Sequence, residues 1–256
     1  MPLYTQTTRH MRQLFLYMVI TMKSKSSILL FLSIFIFHLS FSSCEVINEA
    51  DRLIPVPLPV TGGRNHVLLE YTGFRCVNCP AAAEQAAALK SLYGDRLILI
   101  SLHPASNPFT QGLYDYTCPE ADSLYRFMGG TATTPFPKGN IDMKRMDNGY
   151  FIDPIDWPSY LNAAMSDTLW NPYTPHDVSY WLVEDSVLGA QAMPDGSVNM
   201  SYYHRHVLRA ISNEPFTQLP AQCDPAHCSV VTIYSDITNK NILQAYENPF
   251  DLSAHP

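Results

Sequence analysis

The sequence predicts an α/β protein: a core running strand, helix, strand, helix, strand, strand, helix, followed by a small β-rich C-terminal appendage. Three observations carry this. An apolar run, an alanine-rich stretch and a second apolar run follow one another at the spacing of a parallel crossover. Helix and strand signals then continue in the same alternation. After Trp170 the pattern changes to short strand-forming runs between turns.

His66-Val-Leu-Leu-Glu-Tyr-Thr72 is short and rich in strand formers, as a buried strand requires. Gly73-Phe74-Arg75 turns the chain out of it. Pro80 to Leu92 is an alanine-rich helix that stops near Gly94. Arg96 to Leu102 is a second buried strand. His103 to Thr117 is a loop with two prolines. Pro119 to Met128 reads as a helix, with proline at its start and Gly129-Gly130 at its end. Gly139 to Lys144 and Gly149 to Asp153 are expected to pair as a hairpin around Asp147-Asn148-Gly149. Trp157 to Trp170 has a helical pattern. In the appendage, residues 178–184, 230–235 and 241–246 are expected strands, and Tyr202 to Arg209 is either a strand or a loop. The core is placed at residues 66–172 and the appendage at 173–256.

The N-terminus carries a targeting pattern. Met22-Lys-Ser-Lys25 is a short positive segment, Ile28 to Phe41 is apolar, and Phe41-Ser-Ser-Cys44 closes it. A basic start, an apolar stretch, small residues and then cysteine is the order of a secretory signal with a lipoprotein cleavage site. The apolar stretch is shorter than the roughly 20 residues that span a bilayer. Residues 1–43 are therefore expected to be a signal peptide, with Cys44 lipidated so that it holds the chain on a membrane. Residues 44–65, with prolines at 55, 57 and 59, read as a tether. An outer-membrane lipoprotein facing the periplasm or the cell surface is the expected address.

The 256 residues hold 16 basic and 23 acidic side chains, a net charge of −7. Arg9, Arg12, Lys23 and Lys25 lie in the first 43 residues, so the remainder is more acidic still. That excludes nucleic acid as an expected partner. There is no glycine-rich phosphate loop, no internal repeat and no serine–histidine–acid arrangement, and no cofactor is implied.

Five of the six cysteines follow Cys44. Export places them in an oxidising compartment where disulfides persist. Cys76-Val77-Asn78-Cys79 sits where the first strand ends and the helix begins. A helix N-terminus stabilises a thiolate, and two cysteines separated by two residues supply an attacking sulfur and a resolving one. Cys76, at the tip, is the expected nucleophile, Arg75 adds positive charge beside it, and Cys79 resolves. A permanent staple and a metal site are the other readings of the pair. Cys223-Asp-Pro-Ala-His-Cys228 is expected to close as a structural disulfide. Cys118 is either a buried free thiol or a third redox sulfur. His204 and His206, alternating on a strand, would share a face as metal ligands can, but packing explains them as well, and no metal ligand is assigned.

The stretch Val67-Leu-Leu-Glu-Tyr-Thr-Gly-Phe-Arg-Cys-Val-Asn-Cys-Pro80 resembles the active site of thioredoxin-like proteins, and the element order above is that of the thioredoxin core. The chain is more closely similar to the bacterial lipoproteins named after the outer membrane protein of 28 kDa. That resemblance extends through Leu124 to Gly130 with Phe136-Pro-Lys-Gly139, through Leu182-Val-Glu-Asp185 with Gln191, and through Tyr203 to Arg209 with Ile242-Leu-Gln-Ala245. It departs from them at Arg75, where the family carries an aromatic residue, and in a shorter C-terminal part. The resemblance implies a cis proline facing the cysteine pair, by position Pro137, with Pro135 as the alternative. It also implies exported proteins as thiol or disulfide substrates. A non-catalytic binding lipoprotein and a copper or zinc metallochaperone are the competing functions.

Overall fold

A computed structural model describes residues 63–112, 114 and 116–251. The expected signal peptide, Cys44 and nearly all of the tether lie outside the described residues. Among those described, no helix is long and apolar enough to cross a membrane.

The core begins with β1 (His66–Tyr71), α1 (Cys79–Tyr93) and β2 (Leu97–Leu102). β1 and β2 pair in parallel, with Glu70 opposite Ser101, so the strand–helix–strand unit is the crossover the sequence predicts. α1 buries Cys79, Ala82, Ala86 and Leu89, a spacing that lines one helical face. It ends at Gly94, whose φ of 59° suits a residue without Cβ, and Lys90 in its last turn donates to the carbonyl of Leu97. α2 (Pro119–Phe127) starts at Cys118, and β3 (Lys138–Ile141) runs antiparallel to β1 on its far side.

The period-2 alternation of β1 and β2 divides the core into two layers. Val67, Leu69, Tyr71, Ile98, Ile100 and Leu102 pack with α2, and Leu68, Leu97 and Leu99 pack with α1 and with α3 (Trp157–Met165). The helices thus cover both faces of the sheet, as a thioredoxin-like fold requires.

Two expected elements are shorter than the sequence pattern suggests. Strand 149–153 is reduced to a bridge between Gly139 and Ile152. The chain turns sharply after Ile141 because Asp142 and Met143 both have φ near +55°, and the Asn140 side chain then holds the loop by donating to the carbonyls of Lys144 and Tyr150. Helix 157–170 stops at Met165, whose carbonyl accepts from the Arg96 guanidinium at 3.3 Å.

The C-terminal part is β-rich as expected, and it continues the core sheet. β4 (His176–Glu184), β7 (Val207–Ser212), β8 (Cys228–Asp236) and β9 (Ile242–Pro249) join it in the order β3-β1-β2-β7-β4-β8-β9. β7 meets β2 through Ser101 and Val207, where the Ser101 amide also donates to the His206 carbonyl at 2.7 Å. A separate hairpin, β5 (Val187–Ala192) and β6 (Val198–His204), stands off this sheet. Tyr202 to Arg209 is therefore the end of one strand and the start of another. The break falls at Arg205-His206, where His206 has φ +54°.

Gly139 shows how tightly the core is packed. A Cβ there would collide with the Trp157 indole, a fully buried ring. Gly139→Ala is expected to cost about 3 kcal/mol, the scale of an overpacked core. A urea denaturation midpoint unchanged from the parent would show that the indole can move aside freely.

Candidate redox site

β1 delivers the chain to the carboxyl edge of the sheet, where open α/β folds place their sites. Gly73 begins the turn, because any side chain there would meet the backbone of Phe109. The loop is held from below by Cys76 N–H to Gly73 O at 2.9 Å and from the side by Arg75 N–H to Phe109 O at 3.0 Å. Cys79 opens α1 with Pro80 beside it. Cys76 and Cys79 are joined as a disulfide, with Cα atoms 5.4 Å apart.

The bond preceding Pro137 is cis, as the family resemblance implies. Phe136, the residue before it, lies in the same buried cluster as Cys76 and Cys79 and stacks with Phe109 at 5.9 Å between centroids. Pro137 is half-buried, while Pro135 is exposed.

Cys76 is not at an exposed tip. Arg75, Val77 and Asn78 are exposed, yet Cys76 and Cys79 are each only 2% exposed. The cover is the β5–β6 hairpin. Gln191 Nε2 donates to the Cys76 carbonyl at 2.8 Å, and the Ala192 amide donates to the Phe74 carbonyl at 2.7 Å. The hairpin is seated by Tyr116, whose hydroxyl occupies the space a side chain on Gly189 would need. Arg75 points its guanidinium to the Gln111 carbonyl at 3.3 Å.

Beneath the pair lies Glu70, on the β1 face that packs under α1. It is 5% exposed, and burial pushes its carboxyl up to about 8 against a partial offset from a hydrogen bond with Ser101. Its Oε1 has no hydrogen-bond partner in the protein. Glu70, Ser101, His103, Gln191, Tyr202 and Cys79 line a cleft of about 370 Å³ between α1 and the hairpin. His103 is 1% exposed, with neither ring nitrogen hydrogen-bonded within the protein. Burial, then the nearby His204 and Arg209, holds its pKa well below the ordinary histidine value. His204 Nε2 donates to the Ala190 carbonyl at 3.1 Å, and burial lowers its pKa to about 4. Both imidazoles are neutral at pH 7.

Sequence reasoning missed Glu70 and the role of Gln191, and considered His103 only as a conceivable metal ligand. For Glu70 a signal existed: a single charge inside a six-residue run that is otherwise apolar or aromatic apart from His66. For Gln191 there was no local signal, because its contact spans 115 positions.

Among the described residues the other cysteines, Cys118, Cys223 and Cys228, are free thiols. Cys118 caps α2, its sulfur accepting from the Ala121 amide at 3.4 Å, and burial pushes the thiol up to about 12. The expected Cys223–Cys228 bridge is not formed. Instead the two thiols hydrogen-bond to each other beside Glu184, and burial raises both, Cys228 to about 12. Glu184 is itself committed to Arg209 Nε at 2.6 Å and to the Asp224 amide at 2.8 Å, which fixes the loop without a covalent link. His204 and His206 do not share a strand face, since β6 ends at His204. Among the described residues no group of three or more His, Cys, Asp or Glu side chains is arranged to hold a metal ion.

Comparison with solved structures finds HBP35 of Porphyromonas gingivalis, 14% identical, with a TM-score of 0.55 over 75% of this chain and 77% of that one. At this identity the likeness is one of fold. A protein from Agrobacterium tumefaciens, 13% identical, covers 75% of this chain and 99% of its own, but its TM-score of 0.42 is too low to bear on the fold. No protein-family model matches the chain, and no curated protein matches it in sequence.

Proposed function

We propose that the chain is an exported, lipid-anchored thiol–disulfide exchange protein of the outer membrane, facing the periplasm or the cell surface and acting on the cysteines of other exported proteins. One observation carries the redox reading: a two-residue-spaced cysteine pair stands at the start of a helix, and its second member shares a cleft with a buried carboxyl held near 8. A group titrating near neutrality in a cleft is what proton transfer to and from a thiol needs. The address rests on the N-terminal pattern ending at Cys44, and the likeness to the lipoproteins named after the outer membrane protein of 28 kDa agrees with it.

In this reading the reduced Cys76 thiolate attacks one sulfur of a target disulfide and releases the other as a thiolate. Cys79 loses its proton to the Glu70 carboxylate and attacks Cys76. This breaks the mixed disulfide, frees the reduced target and restores the Cys76–Cys79 bond. Arg75 and the α1 N-terminus favour the Cys76 thiolate.

The occlusion of both sulfurs favours a second reading, a static staple in a non-catalytic binding lipoprotein. The reduction potential of the Cys76–Cys79 couple decides between them. A value between roughly −120 and −270 mV lies among working oxidoreductases, and we expect it there. A value below about −300 mV is typical of structural disulfides, and catalysis would be abandoned.

A further inference from the structure

We propose that the cleft between α1 and the β5–β6 hairpin admits a small-molecule monothiol, and that this thiol reduces the disulfide by attacking Cys79 rather than Cys76. The inference rests on the redox reading above and names the electron donor for the same pair.

Four features lead to it. Of the two cysteines, Cys79 lines the cleft and Cys76 does not, its backbone carbonyl being held by Gln191. The volume, about 370 Å³, falls at the small end of ligand pockets. It has room for a small molecule and excludes a folded partner. The α1 wall is made of small residues, Ala83, Ala86 and Ala87, so space is left where longer side chains would fill it. The floor carries polar groups with no protein partner, Glu70 Oε1 and both ring nitrogens of His103, each on a side chain more than nine-tenths buried. Buried donors and acceptors left unpaired in a native fold call for a partner, and the polar end of a small thiol would supply one. Glu84 and Arg205, exposed at the mouth, mark where the cleft meets solvent.

The chemistry balances with two thiol equivalents. The first gives its proton to ionised Glu70, and its sulfur bonds to Cys79 Sγ as the Cys76–Cys79 bond breaks, leaving the electron pair on Cys76. A second thiol attacks the sulfur of the bound first one, releasing a small disulfide; its proton goes to the leaving Cys79 sulfur, and Glu70 returns the first proton to Cys76. The protein gains two thiols, and two monothiols become one disulfide. Cys76 is then free to act on a protein target once the hairpin moves away. The two half-reactions thus use opposite sides of the pair.

The test compares mixed-disulfide formation with cystamine, followed by mass spectrometry, at Cys79 in Cys76→Ser and at Cys76 in Cys79→Ser. Cys79 is expected to react at least tenfold faster. Because either variant could perturb the loop, the parent disulfide is also reduced with 2-mercaptoethanol in Ala83→Leu, a half-buried position on the cleft wall. This reduction is expected to slow at least tenfold. Faster reaction at Cys76, or no effect of Ala83→Leu, overturns the cleft route and leaves the redox reading standing. If neither cysteine reacts and the parent disulfide resists reduction, both readings fall.

Discussion

Glu70→Gln is expected to slow thiol–disulfide exchange at the Cys76–Cys79 pair by roughly 100-fold at pH 8, the lower end of what a positioned acid–base group contributes. The amide keeps the size and the hydrogen bond to Ser101 but cannot take a proton. In the parent, burial first, eased by Ser101, places the carboxyl near 8, so the exchange rate should rise as pH increases through that value. In the glutamine variant the rise should shift to the ionisation of the thiol alone. A parent and variant with superimposable pH profiles would remove Glu70 from the chemistry.

The same group makes a prediction about stability, with the opposite pH trend. Its pKa near 8 in the folded chain stands above the ordinary value of 4.5 that the unfolded chain retains. Between those values the folded state holds a proton that the unfolded state has lost. The stabilisation associated with Glu70 is therefore fully present below about pH 4.5 and is lost as pH rises to about 8, by as much as about 5 kcal/mol. Glu70→Gln should flatten that dependence. It should equal or exceed the parent in stability at pH 8.5, where the parent carries a buried, poorly partnered charge. The readout is urea denaturation at pH 5 and pH 8.5. Activity that falls while alkaline stability rises is the pattern of a group kept for chemistry at a cost to the fold.

What the sequence makes legible is the local part of this site. Cys76, Cys79 and Pro80 announce a helix start, and the strand before them is read from its apolar run. Pro137 is located by family likeness, and the bond before it is cis. The hairpin that covers Cys76 is not legible, because Val187-Leu-Gly-Ala-Gln-Ala192 has small residues where strand patterns carry large ones. The reason is long-range: the Tyr116 hydroxyl fills the place of a side chain at Gly189. Likewise, β4, β7, β8 and β9 read as an appendage because each looks like a surface strand. Their strand ladder joins that of the core through the one register pair of Ser101 with Val207. Spacing in sequence can place cysteines together, but it does not show whether a roof is drawn over them. The pair at 223 and 228 illustrates the limit, since a hydrogen-bonded thiol pair has the same spacing as a bridge.

Asp142→Ala is expected to destabilise the fold by at least 3 kcal/mol, the largest single loss we foresee outside the disulfide pair. Asp142 is fully buried just past β3 and joins three elements. Oδ1 accepts from the Val67 amide at 2.9 Å. Oδ2 is 2.7 Å from His66 Nδ1 and accepts from Arg64 Nη2 at 3.0 Å. Its own backbone carbonyl accepts from the Ile242 amide at 2.8 Å, and Arg64 reaches the Ile242 carbonyl. The residue therefore holds the start of β1 against β9, the last strand of the C-terminal part. Alanine would leave a guanidinium 5% exposed, an imidazole and an amide without their acceptor. Breaking one side of a buried ion pair costs about 3–5 kcal/mol. Asp167, 2.6 Å from Arg64 but itself half-exposed, recovers part of this. The φ of 57° adds a further penalty for alanine that asparagine largely escapes. Asp142→Asn should consequently lose about half as much, which separates the charge from the backbone geometry. A loss below about 1 kcal/mol for the alanine variant would mean that the Asp142 carboxylate is not what holds β9 to the start of β1. The C-terminal strands, and with them the hairpin over Cys76, would then be seated independently of the β1 entry.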